Sequence, residues 1–380
     1  MKRCMAFMIA ACTAIAVSGD AFAQDIKIGV IGMMTGPGAA WGIAGSEGVR
    51  FAIEDANARG GLDIGGKKRK LDLVVYDDQY KASEAISAYN RLVNEDKSKY
   101  VMTLSAASTM ALKKSVESDD VLVLTSAFSE KIIDKNTSNI IRISKTPRDY
   151  IPNFVQWMKT NVAGRKVTIV SPNDEAGWDL TEISAGAFSK EGYQVTRELY
   201  ERSQKDFLPL LTRVLATKPD IIELGPSAPA TAGLIVRQAR ELGYAGAFST
   251  LGGSGPREII SVAGAKATEG MVNMLYADPA NAEYRALNER FRKKIGQLPN
   301  ELIVTYYDAT KVLLRAMEIA GDPDDPQKVA RAFATALPMT SLQGEQLTFG
   351  GKEHIGIDAQ IMTTNYIGNV RNGEPVVVGK

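Results

Sequence analysis

Short apolar runs recur along the chain, each followed by a stretch of helical periodicity, and this alternation constrains the fold more than any other feature. The runs begin with Ile26–Ile31, Leu71–Tyr76, Tyr100–Leu104, Val121–Leu124 and Ile140–Ile143. They resume with Lys166–Val170, Tyr193–Tyr200, Ile221–Leu224, Ala247–Thr250 and Met271–Tyr276. Helical patterns such as Ser46–Ala58, Ser83–Asn94, Ala176–Glu191 and Thr231–Leu242 lie between them. Strand–helix alternation predicts parallel sheets with helices on both faces. About ten such units exceed one compact sheet, so the expected fold class is α/β with two doubly wound lobes. The tail breaks the pattern: Ala282–Ile295, Leu302–Ala320 and Pro326–Ala336 read as helices, and Ile355–Tyr366 returns to strands.

Two strand ends are rich in hydroxyls. Tyr100–Leu104 runs into Ser105-Ala106-Ala107-Ser108-Thr109, and Val121–Leu124 into Thr125-Ser126-Ala127-Phe128-Ser129. Strand ends of a parallel sheet line the crevice where ligands bind. A Ser-Thr pair opening a helix caps it and leaves backbone N–H groups for an anion. The plainer reading is that Ser108 is only an N-cap and Ser129 only a turn former.

The N-terminus reads as an export signal. Lys2 and Arg3 precede the apolar run Met5–Val17, and Ala21-Phe22-Ala23 supplies a small-x-small cleavage site, so cleavage is expected before Gln24. Ile9-Ala10-Ala11-Cys12 offers an alternative lipoprotein box, with a very short apolar segment before it. Both cysteines, Cys4 and Cys12, fall inside the signal, so the exported chain has no disulfide and depends on its core. Losing Lys2, Arg3 and Asp20 takes 45 basic and 44 acidic residues to 43 of each. That balance points away from nucleic acid and anionic membrane surfaces, and no later run has membrane-spanning length. The basic run Lys67–Lys70 beside Gly65-Gly66 reads as a solvated turn.

Catalytic patterns are sparse. The single histidine, His354, falls at a turn, and without mature cysteines a Cys-His nucleophile or multi-His metal site has no material. Gly252-Gly253-Ser254-Gly255 lacks nucleophile-elbow spacing, its required glycine falling on Pro256. Gly42, Gly45 and Gly48 do not form a dinucleotide fingerprint. No enzyme activity, metal or cofactor is expected.

Several segments resemble the solute-binding proteins of branched-chain and related amino-acid ABC importers, the type I periplasmic binding proteins. They are Ile28–Gly32 with Thr35-Gly36-Pro37 and Trp41-Gly42, Ala52–Asn57 with Gly60-Gly61, and Tyr76-Asp77-Asp78. Asp206-Phe207, Arg237–Arg240 with Gly243, and Glu269-Gly270-Met271 extend the match over nearly the whole mature chain. The resemblance implies two Rossmann-like lobes joined by three hinge crossovers, with ligand in the cleft and a permease in the inner membrane as partner. The crossovers fall near Lys145–Arg148, Tyr276–Pro279 and Gly350–His354. They give an N-terminal lobe of 24–146 plus 278–352 and a C-terminal lobe of 147–277 plus 353–380.

The same resemblance implies site residues. Ser108 and Thr109 hold a ligand carboxylate, beside Ala107 where relatives often have Ser; Ser129, after Phe128, is the second carboxylate-binding hydroxyl. Trp41 walls the cleft. On the second lobe Ala176 stands where relatives have an aromatic, with Trp178 two residues on, and Ser227 joins the set. The ammonium-binding acid is absent, and Gly252 occupies its position. A buried ammonium without a carboxylate costs several kcal/mol, a large part of the roughly 8 kcal/mol of micromolar binding. The expected ligand is therefore a carboxylate without an α-amine, such as an aromatic or keto acid. Asp174 and Glu175 supply a substitute charge if an amino acid is bound instead, and a ligand-sensing role is the other alternative.

Overall fold

The computed structural model describes residues 25–253 and 255–380, and the expected export signal with its cleavage point lies outside the described residues. Two large sheets organise the chain. In the first, Ile26–Gly32 lies between Leu71–Asp77 and Tyr100–Thr103, all parallel. Leu122–Thr125 and Ile140–Arg142 continue the parallel order. In the second, Lys166–Pro172 lies between Gln194–Tyr200 and Ile221–Glu223, followed by Ala247–Thr250 and Val272–Leu275, again parallel. Antiparallel Tyr366–Arg371 and Glu374–Gly379 close that sheet.

Both faces of the inner strands of each sheet are buried, which is why those strands read as unbroken apolar runs. In the first sheet Ile28, Val30, Met102 and Leu124 pack under helices Ala39–Ala58 and Leu302–Ala320 through Val49, Ile53, Leu313 and Met317. Their neighbours Ile31, Val101 and Val123 face the other way, onto Leu92, Leu112 and Val116. In the second sheet Ile222 and Phe248 pack with Leu211 and Ile235, and Ile169 and Met274 with Phe154 and Phe188.

The chain leaves the first sheet after Ile140–Arg142, and helix Pro147–Asn161 opens the second lobe on a Thr146–Asp149 capping box. It returns after Val272–Leu275, since helices Ala282–Ile295 and Leu302–Ala320 pack on Ala39–Ala58. The third passage differs from expectation. Strand Gln360–Met362 belongs to the first sheet, where Gln360 pairs with Arg142 and Ile361 joins the first core. Residues 353–362 therefore lie with the N-terminal lobe, and the crossing falls between Met362 and Tyr366.

Two local differences bear on the site. The stretch Gly32–Gly45, read as a loop, is helical from Ala39 onward. Helix Ala106–Ser118 is capped by Ser105, whose hydroxyl accepts from the Ser108 N–H; Ser108 is thus not the N-cap but lies one turn inside.

Candidate functional site

Between the lobes, at the C-terminal ends of both sets of parallel strands, lies a cavity of about 70 Å³. Its first-lobe wall comes from the strand ends and their loops: Met33 and Trp41, Tyr80, the Leu104-Ser105-Ala106 turn and Ser126-Ala127-Phe128. The second lobe contributes Ala176, Arg202, Pro226 and the Gly252-Gly253 backbone. Small residues here let the lobes approach: an added Cβ at Gly253 would lie 3.4 Å from the Trp41 ring. At Gly252 it would meet Leu180 at 2.0 Å, so no side chain, acidic or otherwise, fits unless Leu180 moves.

Arg202 is the one charged side chain among the described residues lining this cavity. It sits in the turn after strand Gln194–Tyr200, with its guanidinium 4.2 Å from the centre of the Tyr80 ring on the opposite lobe. Asp174, the N-cap of helix Glu175–Lys190, accepts from the Arg202 Nε and, at 3.3 Å, from Nη2. Burial works against the Arg202 charge, but Tyr80 and Asp174 outweigh it and raise its pKa. Met33, Trp41, Tyr80 and Arg202 also line a larger outer cavity of about 570 Å³, and so form the partition between the two.

Other contacts clasp the lobes beside the cavity. Lys131 pairs with Glu175 at 2.5 Å, and the Ser129 hydroxyl donates to Asp179 at 2.5 Å.

The expected site residues divide accordingly. Trp41, Phe128, Ala176 and Gly252 line the inner cavity, and Ala107 lines the outer one. The hydroxyls are engaged elsewhere. Ser108 is fully buried and donates to the Asp78 carboxylate while accepting from Ser105 at 2.7 Å. Thr109 bonds the Ser105 carbonyl at 2.8 Å and lies among the hydroxyls of Thr103 and Thr125. Ser227 accepts from Tyr200 at 2.8 Å and donates to the Leu224 carbonyl. Trp178 is 47% exposed, its indole N–H turned to Asn173. Sequence reasoning marked Ser105 and Ser126 only as part of the hydroxyl-rich strand ends and passed over Tyr80 and Arg202. All four follow directly on strand ends or their loops, the place where ligand residues collect, and that position was the available signal.

Two α/β lobes joined by three passages, with a small cavity between their strand ends, define a clamshell binding protein. The family model described as "Periplasmic binding protein" matches residues 25–374, and the chain belongs to that family. It is similar to the Leu/Ile/Val-binding protein of Escherichia coli K12, 27% identical over 346 residues covering 89% of this chain and 92% of that one. Among solved structures, a leucine binding protein from Thermotoga maritima matches with TM-score 0.80 at 23% identity, covering 93% and 97%. A solute-binding protein of an R. palustris ABC transporter, solved with benzoate, matches with TM-score 0.78 at 18% identity, covering 94% and 96%. The chain is thus a type I, leucine-binding-protein-like member, of a family whose proteins bind solutes for transport.

Proposed function

We propose that this protein is exported to the periplasm, captures a small carboxylic acid lacking an α-amino group, and hands it to an inner-membrane ABC permease without chemical change. The observation that carries the reading is the charge of the cavity wall: Arg202 and no carboxylate among the described lining residues. An α-ammonium there would face Arg202, and Asp174, the acid behind that guanidinium, is already paired with it, so the amine would lack a free counter-ion, at several kcal/mol. A ligand carboxylate meets Arg202 on one side and the N-terminus of helix Ala106–Ser118 on the other. Trp41, Phe128 and Leu104 supply an apolar body. The benzoate-bound neighbour supports an acid ligand for this fold. At about 70 Å³ the cavity is smaller than the roughly 150 Å³ that takes benzene, so an aryl acid and a six-carbon keto acid alike need the lobes further apart.

Calorimetry with benzoate, 4-methyl-2-oxopentanoate, benzamide and leucine tests this. At least one acid binds at micromolar concentration, whereas benzamide and leucine do not. Leucine binding tighter than either acid would overturn the reading in favour of a branched-chain amino acid, the ligand class named for the Escherichia coli relative. Deleting the protein should abolish uptake of the acid; intact uptake with altered gene expression would instead mark a sensor.

A further inference from the structure

Below the cavity, inside the second lobe, lies a carboxylate that never reaches the ligand space. Glu223 ends the central strand Ile221–Glu223 and is fully buried. Its Oε1 accepts two backbone N–H groups, Gly225 at 3.0 Å and Leu251 at 2.9 Å. Its Oε2 accepts the Ser249 hydroxyl. The two amides belong to different loops, and those loops carry Pro226 on one side and Gly252-Gly253 on the other, all lining the cavity.

We propose that Glu223 is a positioning residue that ties the two second-lobe loops together and thereby sets where the second-lobe wall of the ligand cavity stands. This rests on the cavity being the ligand site, as proposed above, but on neither ligand class. The backbone cannot do the work alone. Gly225 has left-handed φ of +52°, and a Cβ there would lie 2.2 Å from the Ser171 hydroxyl, so only glycine makes this turn after the strand end. Leu251 lies at the end of the neighbouring strand, beyond the last paired residue, with Gly252 pressed against Leu180. One oxygen satisfies both amides, so a shift of that atom moves both loops, and a binding wall tolerates about 0.5 Å. The function needs an oxygen at that point rather than a charge. Burial pushes the Glu223 carboxyl up to about 7 against the pull of its three donors. In the protonated form Oε2 donates to Ser249 while Oε1 still accepts both amides.

Two substitutions separate position from charge. Glu223→Asp keeps the charge and withdraws the oxygens by one methylene. Glu223→Gln discards the charge and keeps an oxygen at Oε1, with its amide donating to Ser249. Phe333→Leu, in the first-lobe core, matches a stability loss without touching either loop. Amide hydrogen exchange on the ligand-free protein is read at Gly225 and Leu251. Affinity is read with whichever of benzoate, 4-methyl-2-oxopentanoate and leucine binds the wild type. Glu223→Asp should speed exchange at both amides at least tenfold, leave strand Ile26–Gly32 protected, and weaken binding at least tenfold. Glu223→Gln, the conservative rescue, should restore protection and affinity to within about threefold of wild type. Phe333→Leu should lower the melting temperature and leave affinity intact. The proposal is overturned if Glu223→Asp leaves both amides protected, if Glu223→Gln is as damaging as Glu223→Asp, or if Phe333→Leu costs equal affinity. If none of the three probes binds, the ligand reading has failed, and the exchange data still decide the role of Glu223.

Discussion

Replacing Arg202 by Met keeps the volume along the Tyr80 ring and removes the cavity's one positive charge among the described lining residues. A charge-assisted hydrogen bond to a ligand carboxylate is worth about 1.5–3 kcal/mol, so acid affinity should fall roughly 10- to 100-fold. The substitution also strands Asp174. That carboxylate accepts the Gly177 N–H at 3.0 Å as a helix N-cap, which holds it in place beside the partition between the two cavities. The wall thereby changes sign, and an ammonium gains the partner that wild type denies it. Arg202→Met should therefore bind leucine better than wild type does. Adding Asp174→Asn, which remains a competent cap, should cancel that gain without restoring the acid. Isothermal titration of the three proteins with 4-methyl-2-oxopentanoate and leucine, ligands of like shape, gives the comparison. Wild-type acid affinity in Arg202→Met would refute the role of Arg202. A leucine gain that survives Asp174→Asn would refute the account of the charge reversal.

Ser108→Ala removes a buried donor to Asp78 and should cost about 1–3 kcal/mol of stability in urea melts while ligand affinity changes less than threefold; a tenfold affinity loss at unchanged stability would place the hydroxyl on the ligand. Asp308, buried in helix Leu302–Ala320, is raised from 3.8 to about 7 by burial, against the Leu342 N–H it accepts. The folded chain thus holds a proton that the unfolded chain has lost, so stability falls as pH climbs from about 4 to about 7 and does not recover above that. Asp308→Asn should match wild type near pH 4 and exceed it at pH 8 by up to about 4 kcal/mol; equal stability at both pH values would refute the buried-proton account.

The alternation of strands and helices was legible because strands buried on both faces leave no polar positions: Val121–Leu124 and Ile221–Leu224 read as strands whatever surrounds them. The start of helix Ala39–Ala58 was not. Gly42, Gly45 and Gly48 argue against a helix by propensity, yet Gly42 and Gly48 are dictated by close approaches of backbone. A Cβ at Gly42 would fall 2.0 Å from the Met33 carbonyl oxygen, and one at Gly48 2.4 Å from that of Ile303. The third crossover was hidden for a related reason. Gln360–Met362 is too short to declare its sheet, and its pairing with Arg142 and the burial of Ile361 in the first core assign it.

The site was harder to read because the sequence shows that hydroxyls cluster at strand ends but not which way they turn. A cap at Ser105 instead of Ser108 rotates the helix start so that Ala106 meets the cavity and Ser108 meets Asp78. The second lobe shows the same limit in its charges. Asp174 and Glu175, the acids available to an amine, stand at the cleft in the folded protein as the sequence suggested. There, however, Arg202 engages the first and Lys131 the second. Neither pair is adjacent in sequence, so no local pattern betrays it. An acid at a cleft is a site for an ammonium only while it is unpaired, and here closing the lobes sets Arg202 against Tyr80 and Lys131 against Glu175. On the proposed reading of the ligand, selectivity against the amine rests on cations that occupy the acids as well as on the missing acid at Gly252.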